Sequence, residues 1–186
     1  DDRPGIVHRL GGDTSWLMLC AKNDGVGYIL QDEIRRRNVD RKYLCLVHGN
    51  IASDTGLIDA PIFRSDKNRT RMQVSDKPQA RSSVTTFNVL ERFESGLKDN
   101  GFTLVECKLY SGRTHQIRVH LSSIGHPLAG DDFYGGSREL ISRQALHCGL
   151  VELTHPFFLS RICVKAPFPN DFKKILEFLN IHNQVF

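Results

Sequence analysis

Apolar residues recur along this chain at two spacings, and these predict its elements. Residues 16–21 form a short apolar run that reads as a buried strand. Val26, Ile29, Leu30 and Ile34 then fall on one face of an amphipathic helix. Arg35, Arg36 and Arg37 close that helix, where cations suit its dipole as well as they would suit an RNA contact. Residues 43–47 read as a central strand. Two longer β segments follow at about 83–93 and 102–110, with 94–101 as the hairpin loop between them. Phe87, Val89 and Phe93 should share one face of the first, and Val105, Cys107 and Leu109 one face of the second. A helix is expected over 114–124, strands over 146–153 and 160–165, and a closing helix over 169–181 capped by Asn170 or Asp171. Strands outnumber helices without regular βαβ alternation. The expected class is therefore α+β, with a mixed and mostly antiparallel sheet.

The 186 residues suffice for one domain with a real core, and no repeat or linker divides them (1–186). No apolar run approaches the roughly 18 residues of a membrane span, so no membrane partner is expected. The formal charge of +4 is compatible with an anionic partner and equally with a mildly cationic enzyme. The five cysteines, Cys20, Cys45, Cys107, Cys148 and Cys163, include no CxxC pair. They read as buried free thiols of a reducing cytoplasm, with no zinc site. The chain opens at Asp1 without methionine and inside a dense motif, so an N-terminal part of the native protein is expected to be missing.

Three clusters combine histidine or arginine with glycine or apolar residues. The first runs from Arg3 through His8-Arg9-Leu10-Gly11-Gly12-Asp13-Thr14-Ser15-Trp16. The second is Arg41-Lys42-Tyr43-Leu44, followed by Val47 and Gly49. The third is Gly112-Arg113-Thr114-His115-Gln116-Ile117-Arg118-Val119-His120, continuing into Gly125-His126-Pro127-Leu128-Ala129-Gly130-Asp131. Each alone has an ordinary structural explanation. Together, in this order, and with Leu146-His147-Cys148 and His155-Pro156 behind them, the chain resembles the RluA-type RNA pseudouridine synthases from Arg3 to about Asn170.

That resemblance implies the pseudouridine synthase catalytic fold, a sheet flanked by helices with an RNA cleft across one face. It implies isomerisation of uridine to pseudouridine in structured RNA, ribosomal or transfer, after the base is everted. No cofactor or metal is implied. By motif position, Tyr43 would wall one side of the flipped base and Ile117 the other, and Arg9 would fill the vacated stack. Arg118 would orient the family's catalytic aspartate. Arg113 falls to RNA contact, as His8 and His115 would, and His8, His115 and His120 read as RNA-contacting or structural groups and not as acid–base catalysts. The default is a monomer, and an S4-like RNA-binding domain could precede Asp1.

The family's aspartate position is Gly11 here, which supplies neither nucleophile nor charge. Trp16 also departs from the family's glycine. Three readings follow: an inactive chain that still binds RNA, such as a ribosome-assembly factor; Asp13 swinging into the vacancy on a loop loosened by Gly11-Gly12; or unrelated chemistry. A hydrolase built on Ser15 and His8 lacks an acid partner and a nucleophile-elbow pattern. Stripped of its usual partner, Arg118 is expected to pair with Asp13, water or an anion, or to turn to solvent.

Overall fold

The structure is a computed structural model that describes residues 5–8, 11–94 and 100–183, with side chains to residue 180. Its elements are β1 (Ser15–Trp16), α1 (Asp24–Arg35), β2 (Val39–His48), β3 (Thr55–Asp59), β4 (Ile62–Arg64), β5 (Met72–Val74), β6 (Val84–Phe93), β7 (Phe102–Leu109), α2 (Gln116–Ser123), β8 (Leu146–Thr154), β9 (Arg161–Lys165) and α3 (Asn170–Asn183). A 3-10 turn spans Asp132–Tyr134. The main sheet runs β1-β8-β2-β7-β6-β3, with β9 also on β8, and β4-β5 form a separate hairpin. β1 and β8 run parallel, and the other pairings are antiparallel. This is the mixed, mostly antiparallel α+β class that the pattern predicts.

The two faces of the sheet bury different helices. Tyr43, Cys45, Val47, Phe87, Val105 and Cys107 pack with Leu30 of α1 and with Ile117 and Leu121 of α2. Leu46, Phe93, Phe102 and Leu104 pack against Phe172, Ile175 and Leu179 of α3. Cys45, Leu46 and Val47 are all fully buried, so β2 is the sheet's covered centre and a rigid base for whatever it carries.

Four expectations are corrected. The strand expected over 16–21 shrinks to two residues, because β9 takes the same edge of β8 from Leu150 onward. Cys20 there keeps only an isolated bridge to Ile6. Phe93 does not share a face with Phe87 and Val89: a bulge between Val89 and Glu91 shifts the register and turns it into the α3 core. The second helix starts at Gln116 because His115 is left-handed, at φ 56°. Cys20 and Cys163 are exposed, while Cys45, Cys107 and Cys148 are buried as expected. Of the loop expected over 94–101, residues 95–99 lie outside the described residues.

Candidate active site

A cleft of about 730 Å³ opens where the start of β2, the end of β7 and the N-terminus of α2 meet the loop that follows Val7. Tyr43, Ile117, Arg118 and Gly11 all line it. So do His8, Arg113 and His115. Asp13 lines a smaller hollow of about 350 Å³, which shares His115 and Arg118 with the cleft. Arg9 lies outside the described residues.

Tyr43 sits on β2 directly opposite Cys148, at a register shift in the β2–β8 pairing. Its ring is nearly all buried. Burial holds its hydroxyl well above the ordinary phenol range; the neighbouring Cys148 thiol adds to this and Arg41 opposes it. Tyr43 therefore offers the cleft a fixed ring and a neutral hydroxyl. Ile117, in the first turn of α2, is 3% exposed and is held by the same core.

The turn into α2 is fixed by Gln116. Its Oε1 accepts from the Ser111 hydroxyl at 2.8 Å and the Arg113 N–H at 3.0 Å, and its Nε2 donates to Val84 O and Thr85 Oγ1, each at 3.0 Å. One buried amide thus ties the glycine-arginine loop to β6. Arg113 also donates through Nε to Ser82 O at 3.3 Å. His115 Nδ1 lies 2.8 Å from the Tyr134 hydroxyl, and burial, then the charge of Arg118, lower its pKa. His120 is fully buried between Thr85 Oγ1 and Ala60 O, at 2.8 and 2.9 Å, which is a structural role. His8 Nε2 accepts the Leu19 N–H at 3.1 Å, pinning the chain that enters the cleft wall.

Arg118 corrects the expectation built on Gly11. It is paired with a fixed carboxylate: its Nε and Nη2 donate to the two oxygens of Asp131 at 2.6 and 2.7 Å. The side chains are 11% and 1% exposed, so this is a largely desolvated bidentate pair. The guanidinium also lies 4.8 Å from the Tyr134 ring centroid. Asp131 is set by Gly130, whose φ of +78° and contact with the Arg143 carbonyl leave no room for a Cβ. Thirteen positions of sequence hid this pairing. The Gly130-Asp131 step was visible as motif, but not as Arg118's partner.

The turn holding Gly11 is clamped, and sequence reasoning missed the clamp. Arg143 donates through Nη1 to Asp13 O at 3.0 Å and through Nη2 to Ser15 Oγ at 3.2 Å. Its Nε and Nη2 also donate to the Asp171 carboxylate at the start of α3, at 2.6 and 3.0 Å. Gln144 Nε2 donates to Gly12 O. Asp13 is held at φ 63°. Gly11 itself is not left-handed, and among the described residues beyond its chain neighbours a Cβ there would meet only Thr14 Oγ1, at an ordinary 3.4 Å. The cleft wall has room for a side chain at this position.

Among the described residues no group of three or more His, Cys, Asp or Glu side chains is placed to hold a metal ion. No helix among them is long and apolar enough to cross a membrane. The cleft is lined by an aromatic ring, Tyr43, by an aliphatic side chain, Ile117, and by Arg118, which Asp131 holds in place.

Residues 1–123 match the RNA pseudouridylate synthase family. An uncharacterized RNA pseudouridine synthase of Bacillus subtilis strain 168, YlyB, is 46% identical over 94% of this chain and 55% of its own length. Ribosomal large subunit pseudouridine synthase D of Nitrosomonas europaea is 42% identical over 94% of this chain and 51% of its own. The chain thus spans about half the length of these relatives. Among solved structures, human RNA pseudouridylate synthase domain containing 1 superposes with a TM-score of 0.78 at 26% identity, over 98% of this chain and 80% of that one. Fold, motif order and sequence identity agree: the chain belongs to the RNA pseudouridylate synthase family.

Proposed function

We propose that this chain is the uridine-binding domain of a pseudouridine synthase for structured ribosomal RNA, with its chemistry arrested at Gly11. The observation that carries this reading is the meeting of Tyr43, Ile117, Arg118 and Gly11 in one cleft. A uracil inside folded RNA must be unstacked before it can be reached, at a cost of a few kcal/mol. Tyr43 and Ile117 would receive its two faces, and stacking there offsets part of that cost. Arg118 serves as a fixed cation, since Asp131 holds it in one orientation. His8, Arg113 and His115 line the same cleft and would contact the RNA backbone, and Arg9 belongs to the same segment as His8.

The family reaction breaks the bond from ribose C1′ to N1, turns the base and rejoins it through C5. A carboxylate at position 11 would face the ribose during that cleavage, and glycine leaves the step unassisted. Asp13 is a weak substitute, because its backbone is clamped and it lines the neighbouring hollow. The chain would then act as an RNA-binding or ribosome-assembly factor of the same fold. Ribosomal RNA is favoured over transfer RNA by the name of the relative from Nitrosomonas europaea. A monomer in the cytoplasm completes the reading.

The test is tritium release from ribosomal RNA carrying uridine tritiated at C5. The chain as it stands should bind the RNA and release none, and Gly11→Asp should release tritium. Release by the unaltered chain at enzymatic rates would overturn the arrest and promote Asp13. RNA binding without release by Gly11→Asp would overturn the assignment of this position.

A further inference from the structure

The hairpin joining β8 and β9 ends in an apolar tip that the cleft does not use. Phe157, Phe158 and Leu159 are 56%, 80% and 77% exposed, more apolar surface than one short turn ordinarily leaves in water. The tip is not loose. His155 Nδ1 accepts the N–H groups of both Phe157 and Phe158 at 3.2 Å. The His155 backbone closes the turn, accepting from Leu159 N–H at 2.9 Å and donating to Ser160 O at 2.7 Å. The His155 ring also packs on Phe158, with centroids 4.6 Å apart. One residue thus fixes the turn that presents the aromatics outward. A display held this firmly is already ordered for a partner, which lowers the entropic cost of binding.

Strand pairing shows what the tip adjoins. Leu153, just before the turn, pairs with Val39, and Glu152 with Asp40. Val39, Asp40 and the preceding Arg37 all line the cleft. The tip therefore projects past the same end of the sheet at which β2 enters the cleft and α1 ends in Arg35, followed by Arg36 and Arg37. Asp32 engages Arg35 and Arg36. Arg161, beside the turn, is paired with Glu152, and Arg37 brings positive charge where this end of the sheet meets the cleft. Exposed aromatics at the end of the sheet where the proposed RNA cleft opens match the stacking platforms that hold single strands.

We infer that Phe157 and Phe158 form a stacking platform for unpaired nucleotides flanking the RNA element in the cleft. The inference rests on the RNA reading above and adds a second contact outside the uridine pocket. Base–aromatic stacking is sequence-tolerant, so the platform would select single-stranded flank rather than a particular base. Each stacked base would tighten binding about 5- to 150-fold.

The test compares fluorescein-labelled ribosomal RNA hairpins, blunt or carrying a single-stranded tail of roughly eight nucleotides at either end, long enough to reach past a site of about four nucleotides. Fluorescence anisotropy should show one tailed hairpin binding the unaltered chain at least about five-fold more tightly than the blunt one. The double variant Phe157→Ser/Phe158→Ser, altered only at exposed positions, should bind the blunt hairpin unchanged and lose the gain from the tail. A gain that survives in the variant, or no gain in the unaltered chain, overturns the platform while leaving the cleft reading intact. Failure to bind any hairpin overturns both. If sedimentation shows the unaltered chain as a dimer that the double variant dissolves, the tip is a self-association surface and the inference falls.

Discussion

Replacing Asp131 by asparagine keeps the shape of a buried side chain but removes the charge that holds Arg118. Asp131 is 1% exposed and Arg118 11%, so solvent cannot take over the lost interaction. Breaking such a pair from one side costs about 3–5 kcal/mol, because a charge is left desolvated without its partner. The new amide would also point one N–H group at the guanidinium, which has only donors. With a urea m-value near 2 kcal/mol/M, the unfolding midpoint should fall by about 1.5–2.5 M. Arg118→Met strands the carboxylate instead and gives up the contact with the Tyr134 ring, worth about 0.5–2 kcal/mol. The double variant leaves no buried charge, and its cost should fall at least about 2 kcal/mol short of the sum of the singles. Urea unfolding followed by circular dichroism and by Trp16 fluorescence supplies the four midpoints. A cost under about 1 kcal/mol for Asp131→Asn, or strictly additive singles, would refute the pair as the anchor of Arg118.

Two further outcomes follow from titrating groups. Burial lowers the pKa of both His120 and His115, so the unfolded chain takes up protons from about pH 6.5 downward while the fold resists. Stability should hold near pH 7 and fall towards pH 5, read as a drop in the urea midpoint; an equal or higher midpoint at pH 5 would contradict this. The raised Tyr43 pKa works in the other direction: the unfolded phenol ionises from about pH 10 while the folded one keeps its proton, so stability is lost as pH rises. Tyr43→Phe should lessen that alkaline loss of the urea midpoint, and an unchanged loss would contradict its burial.

Local periodicity and local spacing carried β2, β6 to β9, the three helices and the motif residues, whereas the short strands β3, β4 and β5 were not anticipated. Tyr43, Ile117, Arg118 and Gly11 are marked by motif position alone, and all four line one cleft. What escaped was set by tertiary choices. Phe93 obeys the period of two until one bulged residue flips it, and a bulge leaves no apolar signature. Residues 16–21 look like a strand, but another strand already occupies the edge they need. Arg118 was expected to turn to Asp13, water, an anion or solvent, because motif position pointed only to residue 11 for its usual partner. Its partner, Asp131, arrives across a loop shaped by Gly130. The clamp of Arg143 and Gln144 on the Gly12–Asp13 carbonyls is a long-range contact between side chain and backbone. Residue type alone does not encode such a contact.

The central claim is that an everted uracil enters the space between Tyr43 and Ile117. Its most direct test is photocrosslinking of the chain to ribosomal RNA substituted with 4-thiouridine, with the attached peptides mapped by mass spectrometry. The account predicts uridine adducts on the peptides holding Tyr43 and residues 112–118, lost when Tyr43→Phe and Ile117→Ala are combined. Adducts confined to the α3 face of the sheet, with none on those two peptides, would contradict it.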